Sequence, residues 1–258
     1  MKIVDIINII DKAAPEEFAM DWDNSGFLLG DKNSEVKKVL VALDVTSDSV
    51  EQAIHEKCNM IIAHHPMFFK GIKSIDYGTP QGNVIKKLIK NDISVYACHT
   101  NKDASEQGIN ARLAEMFSLT EVEVLEKNPN NSEVGIGRVG NLEKEISLTR
   151  LCEMTKALLN TPCVRLIKGK ADTIKRMAVA SGSCSEFIPE AVKLGAEVII
   201  TADMKYHDSL DAAELGVSVI DAGHYPTEFL VTDILADLLK DTEIEVVKSH
   251  SKDIFLYM

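Results

Sequence analysis

The sequence predicts an α/β protein. Three observations carry that expectation. Apolar runs of strand length alternate with stretches of helical periodicity, the joints between them carry helix-start chemistry, and two distant segments repeat one strand-then-histidine pattern.

The elements follow in order. The opening MKIVDIINIIDKAAP sets isoleucine at 3, 6, 7 and 10, one face of a helix, with Pro15 expected to end it. Aspartates interrupt this run and no small-residue cleavage site follows, so a helix is expected rather than a signal peptide. DWDNSGFLLGD is turn-rich and closes at Gly30. A buried strand is expected from Lys38 to Leu43, then a helix capped near Thr46, then a strand over Met60–Ala63. That is a β-α-β unit, which implies parallel pairing. Thr79 followed by Pro80 opens the next helix, and ISVYAC supplies the next strand.

EKNPNNSEVGIG is the most polar stretch and rich in Asn and Gly, so the domain boundary is expected there, with a first lobe over 1–127. Beyond it come a strand near Gly137, a helix over 148–159, the strand RMAVAS and the loop GSCSE. A helix to Leu194, the strand EVIITAD, the helix SLDAAELG and the strand VSVID follow, filling a second lobe over 128–221. A helix over 227–240 and the strand EIEVVKS close the chain.

Composition narrows the function classes. Of 258 residues, 45% are hydrophobic and 26% charged, which excludes a disordered or fibrous chain. The net charge of −12 weighs against non-specific binding to nucleic acid or anionic membrane. Five scattered cysteines without a C-x-x-C pair suit free thiols in a reducing compartment, so a cytoplasmic protein is expected. No apolar run approaches the ~18–20 residues a membrane span needs.

The histidines carry the chemistry. Met60–Ala63 reads as a core strand, yet His64 and His65 follow at once, and a histidine that loses water without a partner is costly. ISVYACHTNKD and VSVIDAGHYPTE each run a strand into a loop whose histidine has a carboxylate four residues on, His99 with Asp103 and His224 with Glu228. Sites form at the carboxyl ends of strands in open α/β sheets. His64, His65, Asp103, His224 and Glu228 offer nitrogen and oxygen donors, a set suited to zinc, iron, manganese or a similar divalent ion. Neighbouring side chains diverge along an extended backbone. The tandem histidines are therefore expected to serve two ions bridged by a carboxylate, as in two-metal hydrolytic sites.

Plainer readings stand beside this one. A lone histidine after a strand, such as His99 or His207, is commonly a hydrogen-bonded loop residue. Asp23, Asn24 and Asp31 are expected to shape turns around Gly26 and Gly30. Asp203, Lys205 and His207 either line a pocket or begin a solvated helix. SGSCSE sits between strand and helix, where backbone N–H groups can hold phosphate, but it matches no phosphate-loop pattern and is expected to be a turn. Cys98 is expected to be a buried strand-end thiol.

WDNSGFLLGD, LDVT, IIAHHPMFFKGIKSI, YACHTNKDASEQGIN and ADMKYHDSLDAAELGVSVIDAGHYPTE, in that order, resemble the NIF-three-like family, catalogued as GTP cyclohydrolase I type 2 homologues. The resemblance runs nearly end to end. It implies two α/β lobes with mixed sheets flanked by helices, the metal site in the cleft between them, and residues 222–258 completing the first lobe. It also implies two metal ions, one held by His65 and Asp103, the other by His64 and His224, with Glu228 bridging. Assembly as a homohexamer is implied as well. The family label implies a hydrolase in which metal-activated water attacks C8 of a guanine ring, formate leaves, and His99 or His207 moves protons. A different function class remains open at this point: a metal-binding scaffold or regulatory protein with protein or DNA partners, the latter opposed by the net charge. Metal storage or delivery is a third.

Overall fold

The computed structural model describes residues 1–258, which divide into two compact units, Met1–Lys102 with Val231–Lys252 and Asp103–Leu230 with Asp253–Met258. Each is a mixed sheet flanked by helices.

The first unit opens with α1 (Ile3–Ala13), whose isoleucines 3, 6, 7 and 10 are all buried. It continues through β1 (Gly26–Leu29), β2 (Lys38–Ala42), α2 (Ser47–His55), β3 (Met60–Ala63), α3 (Pro80–Lys90) and β4 (Ser94–Ala97). The caps fall where local chemistry puts them. Thr46 accepts a hydrogen bond from the Ser49 amide at 3.1 Å, and Thr79 accepts one from the Gly82 amide at 3.1 Å, with Pro80 at the first helical position. The strands β2, β3 and β4 run parallel, as the β-α-β reading requires, and β1 joins the β4 edge antiparallel. Register places Ala42 beside Ala63 and Ala63 beside Ala97, so the residues after β3 and β4 leave the sheet at one edge.

The second unit begins inside α4 (Thr100–Ala104) and holds α5 (Ile109–Met116), β5 (Thr120–Asn128), β6 (Asn131–Ser147), α6 (Leu148–Leu158), β7 (Arg165–Ile167) and β8 (Thr173–Val179). It runs on through α7 (Ile188–Lys193), β9 (Val198–Thr201), α8 (Tyr206–Leu215), β10 (Ser218–Asp221) and α9 (His224–Glu228). Sheet order is β5-β6-β8-β9-β10-β7, with β8, β9 and β10 parallel and the rest antiparallel. Val179 pairs with Ile200, and Asp221 with Thr201, so here too the ends align. Arg138 on β6 is buried and donates to the carbonyls of Gly135, Gly137 and Ser105 at 2.7, 2.7 and 3.1 Å.

The chain then returns to the first unit with α10 (Val231–Leu239) and β11 (Glu245–Lys248), which pairs parallel to β2. The single helix expected over 227–240 is thus two, α9 and α10, interrupted at 229–230. The units part between Lys102 and Asp103, whereas the sequence reading set the boundary at 127/128. That polar stretch is a hairpin turn: β5 before it pairs antiparallel with β6 after it, and Asn128 accepts the Asn130 amide at 2.9 Å. No helix is long and apolar enough to cross a membrane.

Candidate metal centre

In the first unit the backbone ladder continues past the strands. The His64 amide donates to Ala42 at 3.0 Å, His65 to Leu43 at 2.9 Å and Cys98 to Ala63 at 2.9 Å, so the strand ends bury no orphaned donor. The chain bends at His64 and His65. Their rings therefore do not alternate as strand side chains would; the centroids lie 5.0 Å apart. The expected divergence of the tandem pair is lost because β3 has ended at Ala63. The His99 ring stands 5.1 Å from His64 and 5.4 Å from His65. One donor nitrogen from each of the three lies within 4.8 Å of the others, an arrangement that can hold a metal ion.

Each ring is oriented through Nδ1. His64 donates to the Cys98 carbonyl at 2.9 Å, His65 to the Asp44 carboxylate at 2.8 Å, and His99 to the Asp23 carboxylate at 2.8 Å. With Nδ1 so engaged, each ring presents Nε2 to an ion or a proton, the outer-shell arrangement that metal-binding histidines use. Asp23 is held hardest. It also accepts from the Thr100 amide and hydroxyl at 3.1 and 2.6 Å and the Ser25 hydroxyl at 2.7 Å. Burial pushes its carboxyl up. The hydrogen bond and charge of His99, with those donors, outweigh burial and hold it well below the usual carboxylate range.

The second unit carries the other predicted residues. Asp103 is buried on α4, 7% exposed. His224 opens α9 and Glu228 lies one turn on, so the four-residue spacing becomes a contact of 2.8 Å between His224 Nε2 and Glu228 Oε2. His224 Nδ1 meets Asp203 at 2.7 Å, and Asp203 sits at φ +55°, a left-handed conformation that aspartate tolerates. Gly182, φ +65°, turns the chain after β8 directly against Glu228, which is 3% exposed. The SGSCSE turn reading holds, and its glycine has a use that reading missed. Burial pushes the nearby Cys184 thiol up, and the charges of Asp103, Glu186 and Glu228 push it further. A cavity of about 470 Å³, within the size range of small-molecule sites, opens beside His224, Asp203, Arg165, Asp221 and Tyr257.

His207 is exposed on the first turn of α8, 5.5 Å from the Tyr206 ring, and lies outside the three-imidazole cluster. Sequence reasoning missed three orienting carboxylates. In the sequence Asp23 reads as a turn former, Asp203 as either a pocket residue or part of a solvated helix start, and Asp44 carries no distinct role. Asp44 did carry a signal, an acidic residue just past a buried strand. In the first unit the three imidazoles, each oriented by an oxygen acceptor, fit a divalent ion of the zinc, iron or manganese kind, and in the second His224 and Glu228 offer a nitrogen and an oxygen donor of the same type.

Comparison with known proteins gives a consistent result. The family model described as Duf34/NIF3 (NGG1p interacting factor 3) matches residues 1–254. The chain is 36% identical over 262 residues to a "GTP cyclohydrolase 1 type 2 homolog" of Clostridium perfringens, covering 100% of both chains. It is 39% identical over 230 residues to the protein of that name from Clostridium acetobutylicum, covering 89% of this chain and 86% of that one. Among solved structures, a Bacillus cereus protein related to NIF3 superposes with a TM-score of 0.92 at 26% identity, covering 100% of this chain and 99% of that one.

Proposed function

The chain belongs to the Duf34/NIF3 family, and on that premise we propose that it is a dinuclear metal-dependent hydrolase acting on a nucleotide or related small phosphorylated compound. Its ligands in this reading are His64, His65, Asp103, His224 and Glu228. The observation that supports it is the pairing of His64 and His65, ring centroids 5.0 Å apart, each held through Nδ1 by an oxygen acceptor so that Nε2 is the atom turned to ligation, with His99 oriented the same way beside them. Burying imidazoles costs free energy that one hydrogen bond per ring offsets in part, and ligation through Nε2 offsets the rest in this reading.

A divalent ion held there supplies Lewis acidity toward water and substrate oxygens. The chain's own groups do the rest. Asp44, Asp203 and the Cys98 carbonyl fix the tautomers of His65, His224 and His64, so each ring presents Nε2. Of the two histidines expected to move protons, His99 has the better environment. Asp23 stays ionised, commits His99 Nδ1 and leaves proton exchange to Nε2. His207, exposed beside Tyr206, has no such orienting carboxylate. The homo-oligomeric assembly implied by the family resemblance belongs to the same proposal, and sedimentation of the purified protein tests it.

Elemental analysis of the native protein, followed by incubation with GTP, tests the whole reading. Two equivalents of a divalent metal are expected, with formate released. Metal content no higher than in the His64→Ala, Glu228→Ala double variant overturns the metal centre. Full metal content with no hydrolysis of any nucleotide in a substrate panel overturns the hydrolase.

A further inference from the structure

We infer that Trp22 and Phe69 form a stacking wall for a planar heteroaromatic ring beside His99. The inference deepens the proposed function, on which it rests for what the bound ring is brought to; binding itself does not depend on it.

Trp22, the only tryptophan in the chain, is 57% exposed, and Phe69 is 48% exposed. Large aromatic side chains half in water give up burial free energy that a folded chain ordinarily keeps. These two are not stray surface residues. Trp22 packs edge-on to the His99 ring at 5.8 Å, Phe69 does so at 5.7 Å, and the two lie 6.4 Å apart. Both rings thus lean on one member of the imidazole cluster while keeping much of their surface open.

Polar bonds of their chain neighbours fix the wall. Asp23, next to Trp22, is bonded to His99, Thr100 and Ser25. Asn24 donates from its side chain to the carbonyl of Phe68, next to Phe69, at 2.7 Å, which ties the two aromatic segments together. The platform is therefore set before a ligand arrives, and preorganised aromatic surface binds ring systems by stacking whatever their hydrogen-bonding edges. A sugar or an aliphatic phosphate has no π face to offer it. The ligand class is accordingly a planar heteroaromatic compound, with a purine nucleotide as the fitting probe.

The sole tryptophan makes the test direct. The full-length protein is titrated with guanosine 5′-monophosphate and, separately, with ribose 5-phosphate, following Trp22 fluorescence. Saturable quenching by the nucleotide and none by the sugar phosphate is expected. Phe69→Leu, which keeps apolar bulk but removes the ring, is expected to weaken nucleotide binding on the order of tenfold with metal content unchanged. Calorimetry on Trp22→Leu is expected to give a similar loss. Equal quenching by both probes, no saturable quenching in metal-replete protein, or unaltered affinity in Phe69→Leu overturns the inference. Nucleotide binding that persists in protein shown by elemental analysis to hold no metal supports the wall and counts against the metal centre instead.

Discussion

Gly182 faces the Glu228 carboxylate so closely that a β-carbon at position 182 would stand 2.1 Å from Glu228 Oε1. The φ of +65° at Gly182 adds a second reason for glycine, since other residues lose roughly 1–2 kcal/mol in that region. Gly182→Ala is expected to displace Glu228, lowering metal content and the melting temperature together. Unchanged values of both by elemental analysis and calorimetry would show that the turn can yield.

The orienting carboxylates give a separable prediction. Asp44→Ala removes the acceptor for His65 Nδ1, and Asp203→Ala removes that for His224. Each is expected to weaken metal affinity about 10–100-fold while leaving the ligands in place. Competition with a chromophoric chelator measures it. An affinity within twofold of the parent in both variants would argue that these histidines ligate nothing.

Arg138 predicts stability rather than function. Three backbone carbonyls, of Gly135, Gly137 and Ser105, take its guanidinium as their side-chain donor. Burial pulls its pKa down, with the Glu106 charge opposing, yet an arginine so placed stays charged. Arg138→Ala strips these buried bonds and is expected to cost about 3 kcal/mol in urea unfolding, with metal content of the surviving fold unaffected.

Thiol reactivity should divide by burial. Burial pushes the Cys58 thiol up to about 11, partly offset by Lys38, so it remains protonated at mildly alkaline pH. Cys163 is exposed. Alkylation of the folded protein is expected to modify Cys163 first and Cys58 only after denaturation, as peptide mass mapping would report. Early modification of Cys58 would mean that the first unit opens readily.

Chelation tests whether the metal is catalytic or structural. In the first unit Leu40, Val50, Ile61, Leu88 and Val95 pack together in a buried apolar cluster to which the histidines do not belong. Removal of metal is expected to leave the far-ultraviolet circular dichroism unchanged. Unfolding on chelation would favour the scaffold reading over the hydrolase.

Elements whose causes are local are legible in the chain alone. Isoleucine spacing made α1, Thr46 and Thr79 with Pro80 capped α2 and α3, and the apolar runs became β2, β3 and β4. The four-residue step from His224 to Glu228 likewise became a contact, because one helical turn spans it. Family membership was legible too, in long ordered motifs. Tertiary structure alone decided what depends on partners distant in the chain. Asp23 reads as a turn former until β4 delivers His99 to it across 76 positions. Gly182 reads as punctuation until α9 brings Glu228 against it. The Asn-rich stretch near 128 reads as a domain boundary, and in the fold β5 and β6 pair around it. Local propensities act within a few residues along the chain, whereas a hydrogen bond or a steric limit acts between whichever atoms the register of the strands sets side by side.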